Sequence, residues 1–257
     1  MFQLALSAAL FITVLVIGIL LLKNLFKIVV FIISAALVFL IVAGALIFLD
    51  VQSFTENFFS EQNQLLLRSP EENRIISALV ISFDNQSQEG NLMLQNEEMI
   101  KRADGFYQKN SLHKQPGYYK HIIFEVDSFP GQYELSDHIT LSRAEMIDVI
   151  KAEDSIVALR DLLKEDVGEE YADKIISGIL NEIKSENKLK SFIFKVMISK
   201  LPEKLSIEYL MKSIKSKEVK VIPETPIFTL TRYLPKFVGW VVSKVEKTDI
   251  MGIELEK

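Results

Sequence analysis

The chain has 257 residues and a formal charge of −5, with 49% apolar and 25% charged residues. Its mean hydropathy is positive, +0.23, and the excess lies at one end: 40 of the first 49 residues are apolar, against roughly 41% of the remainder. That segregation excludes a wholly soluble chain and a wholly disordered one. The absence of cysteine excludes a disulfide scaffold, a thiolate metal site and a cysteine nucleophile.

Residues 4–22 are apolar apart from Ser7, Thr13 and Gly18, and residues 28–49 apart from Ser34 and Gly44. At 1.5 Å of rise per residue, each run crosses a hydrocarbon core of about 30 Å. Only Lys23-Asn24-Leu25-Phe26-Lys27 separates them, so the expectation over residues 1–50 is a transmembrane hairpin of two helices. Small residues fall at matching depth on the two runs, Ser7-Ala8-Ala9 with Ala43-Gly44-Ala45 and Gly18 with Ser34. In lipid, close backbone approach at such residues is what holds helices together. A signal peptide fits worse, because the first run lacks a basic leader and no polar cleavage zone precedes the second.

Lys23 and Lys27 sit at the turn, whereas Asp50, Glu56 and Glu61 follow the second run. The positive-inside rule then places the turn in the cytoplasm. The N-terminus and the C-terminal domain fall outside, giving a two-pass protein of the cell membrane with an extracytoplasmic domain. The sequon Asn85-Gln86-Ser87 suits an exterior loop.

Residues 51–73 read as a polar-aromatic connector, helical at the membrane exit, carrying Phe54, Phe58, Phe59 and Leu65-Leu66-Leu67 and closed by Pro70. Residues 74–257 read as one α+β domain, a sheet containing an antiparallel hairpin plus several helices. A strand is expected over residues 75–83 and a short helix over 96–110. Within residues 118–141, Ile122, Phe124 and Val126 alternate with polar neighbours, as do Tyr133, Leu135, Ile139 and Leu141. Ser128-Phe129-Pro130-Gly131 stands between them as a turn, so the two runs are expected to pair with each other. Ser142 and Glu145 match a capping box, opening a helix to about residue 163. Helices follow over 169–186, 188–200 and 203–215, then a returning strand over 218–222, and a last helix from Pro235 to about residue 247.

No phosphate loop, dinucleotide fingerprint, nucleophile elbow or zinc-protease motif occurs in the chain. With a four-residue loop the hairpin register places His121 opposite His138 and Glu125 opposite Glu134; with a two-residue loop His121 is diagonal to His138 on the same face. Two imidazoles with carboxylates on one face suit a divalent metal such as zinc with an open position; the plainer reading is the solvated face of a hairpin. Charge is also segregated: residues 134–173 carry a net −8 and residues 184–220 a net +6. The second block suits anionic headgroups, or simply complements the first within one domain. On the last helix Trp240 points away from a valine stripe, among Lys236, Lys244 and Lys247, as expected of a lipid or partner contact.

These features point to a membrane-anchored domain with a binding or assembly role and no required cofactor, rather than to an enzyme. The alternatives are a metal-binding module or metallo-hydrolase centred on His121 and His138, and an accessory subunit of a larger membrane complex. The expected partners are the lipid bilayer and other membrane proteins. Nucleic acid is disfavoured by the acidic balance and by the lack of an aromatic-basic signature.

Overall fold

The computed structural model describes residues 2–83, 90–136, 139–201, 207–225 and 228–229. The chain divides into two compact units, Met1–Asp50 and Val51–Lys257.

The first unit is helical. Helix α1 runs over Phe2–Ser60, and within it Phe26–Ser60 is long and apolar enough to cross a membrane. The structure carries helix straight through residues 23–27, where the sequence places a turn. That pentapeptide contains neither Gly nor Pro, so nothing in its backbone forces a break, and each helical residue added contributes one more hydrogen bond. Phe31 and Phe39 are 72% and 71% exposed.

In the second unit, the last turns of α1 belong to the domain core: Val51, Phe54 and Phe58 are buried. They lead into β1 (Asn63–Ser69), which the sequence leaves inside the connector. β1 instead takes the middle of a five-stranded mixed sheet of order β3-β2-β1-β4-β7, with β2 at Arg74–Phe83, β3 at Gly90–Leu94, β4 at His121–Glu125 and β7 at Val219–Ile222. β1 runs antiparallel to β2 and parallel to β4, with Gln64 beside His121 and Leu66 beside Ile123. β7 returns antiparallel on the far side of β4.

Both sheet faces are covered. On one face Leu66, Ala78 and Ile123 pack with Ile100 and Ala103 of α2 (Glu97–Gln108) and with Leu112. On the other, Phe124 meets Phe129 and Phe194, the latter from α6 (Leu189–Ser199). Ser191 of α6 donates its hydroxyl to the carbonyls of Ala78 and Gln95. With both faces dry, His121, Ile122, Ile123 and Phe124 are each 1% exposed or less. The polar-in-alternation reading of this strand therefore does not hold.

The expected hairpin between residues 118–126 and 133–141 does not form. β4 ends in a short 3-10 turn, Val126–Ser128, whose Ser128 hydroxyl donates to the Glu125 carbonyl. β5 (Gln132–Ser136) pairs with β6 (Ile139–Ser142) in a separate two-stranded sheet. The capping box does form: Ser142 Oγ accepts from the Glu145 amide at 3.2 Å, and the Glu145 carboxylate accepts from the Ser142 amide at 2.6 Å. It opens α3 (Arg143–Lys151). The expected long helix breaks there, because Asp154 accepts from the Ile156 and Val157 amides and starts α4 (Ser155–Val167) afresh. Gly168, at φ 80, turns the chain into α5 (Glu169–Ile183). α7 (Ile207–Ser216) then precedes β7.

Candidate functional site

The sheet has two unlike ends. At the end nearer α1, strands β1 and β4 begin and β7 finishes. The Gln64 backbone amide there donates to the Lys120 carbonyl at 2.8 Å, and the Tyr119 amide donates to the Gln62 carbonyl at 2.8 Å. His121 lies here, with Nδ1 2.9 Å from the Gln64 amide and Tyr118 edge-on at 5.7 Å. Burial pushes its imidazole down to about 4, against the opposing effect of a hydrogen bond to the Leu112 backbone. A neutral ring that donates to the Leu112 carbonyl keeps one acceptor nitrogen, so the Gln64 amide presents its NH2 to it. That orientation also supplies a partner for the otherwise unpaired, buried Gln64 Nε2. Lys120, 1% exposed, donates to the Pro223 carbonyl at 3.1 Å and lies over the rings of Tyr119 and Phe228.

His121 is thus an interior histidine in a polar contact between two central strands. Glu125 shares its face but stands four residues along the strand, about 13 Å away at 3.3 Å per residue, beyond common ligation of one ion. Glu125 instead pairs with Arg68 at 2.6 Å. Glu134 lies on β5, in the other sheet, opposite Thr140. His138 lies outside the described residues, as do Trp240, Lys236, Lys244 and Lys247. Among the described residues, no three His, Asp or Glu side chains lie close enough to hold a metal ion.

The opposite end of the sheet offers an open crevice. β1 and β4 are parallel neighbours whose connections diverge: β1 turns back into β2 on one side, whereas β4 leads away and the chain returns as β7 on the other. In open sheets such a switch point leaves a gap at the carboxyl ends of the strands, because no connection crosses it. Here the gap is a cleft of about 400 Å³, walled by Ser69, Pro70 and Glu71 after β1, by Val126 and Asp127 after β4, and by α3.

Its charged side chains are held in place. Arg143 Nη1 donates to the Asp127 and Phe129 carbonyls at 3.1 and 2.9 Å, and Nη2 lies 3.6 Å from the Asp127 carboxylate. Lys151 Nζ bridges Glu71 at 3.3 Å and Glu72 at 3.0 Å. Burial pulls the Lys151 ammonium down, but its bonds to Glu72 and Glu71 outweigh this and leave it above its ordinary value. The Glu72 carboxyl is held below its ordinary value, first by its bond to Lys151 and further by Arg74. Lys151 also borders a second cleft of about 350 Å³, where Arg74, Lys101 and Lys190 face Glu97, Asp104 and Glu153. Both clefts at this end of the domain are lined by side chains of both charges.

No protein-family model, curated protein or solved structure matches the chain.

Proposed function

We propose that the protein is a membrane-tethered binding domain, held by its N-terminal apolar segment and presenting the crevice between β1 and β4 as its recognition surface. The observation that carries this reading is the apolar helix of the first unit, where Phe26–Ser60 is long and apolar enough to cross a membrane and Phe31 and Phe39 are 72% and 71% exposed. In the second unit Phe54 and Phe58 are 2% and 1% exposed in the domain core. Phe54 meets Phe228 edge-on at 5.2 Å, and Phe58 meets Phe83 at 5.6 Å.

A two-pass anchor fits the lengths. A straight helix over residues 2–50 would measure about 73 Å, more than twice the hydrocarbon thickness of about 30 Å. Breaking it at residues 23–27 places both apolar runs in lipid and brings Gly18 toward Ser34. The lysines at the break favour a cytoplasmic turn, with the domain on the other side.

Single cysteines test this cleanly in a chain that has none. Asn24→Cys is expected to react with an impermeant maleimide only from the cytoplasmic side, and Asn110→Cys, at an exposed position, only from the other. Reaction of both from one side would refute the two-pass arrangement. Recovery of the intact chain in the soluble fraction would refute the tether itself.

A further inference from the structure

We draw no further inference here: the strongest candidate, the cleft of about 350 Å³ between α2 and the C-terminal end of α3, carries nothing because every lysine and arginine on its walls already holds Glu71, Glu72 or Glu97 in an ion pair, so its charges select no ligand.

Discussion

The two ends of the central sheet differ in what they do with polar groups. At the α1 end, Asn63, Gln64, Lys120 and His121 are each 1% exposed or less and hold one another and the backbone. At the other end, Glu71 and Asp127 are 83% and 75% exposed and face an open cleft. Buried polar groups are costly unless satisfied, so the first set serves the fold. Solvated charges cost the fold little, so the second set is free to serve a ligand. Substitutions at the α1 end should therefore act on stability, and those at the crevice on binding.

The largest effect is expected from Phe58→Ala, which removes a fully buried ring that packs on Phe54, Phe59 and Phe83. Urea unfolding of the full chain in detergent should show a loss of about 3–5 kcal/mol. A loss below about 1 kcal/mol would mean that the last turns of α1 are not part of the core.

His121 supplies a pH signature. Its folded imidazole titrates near 4, below the ordinary 6.5, so the unfolded chain binds the proton first as pH falls. Stability is then lost between about pH 6.5 and pH 4, by about 3 kcal/mol at the lower limit. His121→Gln should flatten that part of the stability–pH curve. A curve of unchanged shape in the variant would show that other groups produce it.

Asp154→Ala, which removes the cap of α4, should cost about 1 kcal/mol and leave ligand binding alone. The smallest change is expected at the crevice. Glu71→Gln should alter stability by no more than about 0.5 kcal/mol, because its pair with Lys151 is solvated on the carboxylate side. A large loss there would erase the distinction between the two ends.

Local signals in the sequence were realised locally. Ser142 and Glu145 form their capping box, Val219–Ile222 returns as a strand, and α5 and α6 lie where their apolar stripes place them. Pairing across long separations was not legible. Leu65-Leu66-Leu67 read as connector because it follows a helical aromatic stretch and precedes Pro70, yet it joins β4 57 residues later. The alternation in residues 121–125 suggested a half-wet hairpin, but Ile123 is covered by α2 and the 3-10 turn at Leu112–Lys114. A register that sets His121 opposite His138 requires β4 to pair with the strand after the turn, and β4 pairs instead with β1 and β7. The crevice had no local signal at all. Arg143 and Asp148 are ordinary residues of a helix, and they line a cleft only because β1 and β4 end side by side beneath them.

The proposed tether, the N-terminal apolar segment holding the domain at a membrane, is tested most directly by flotation. The full-length chain is reconstituted into liposomes and centrifuged through a density gradient after alkaline carbonate. Co-migration with the lipid, lost on deletion of residues 1–49, is the predicted result; protein left in the dense soluble fraction would contradict it.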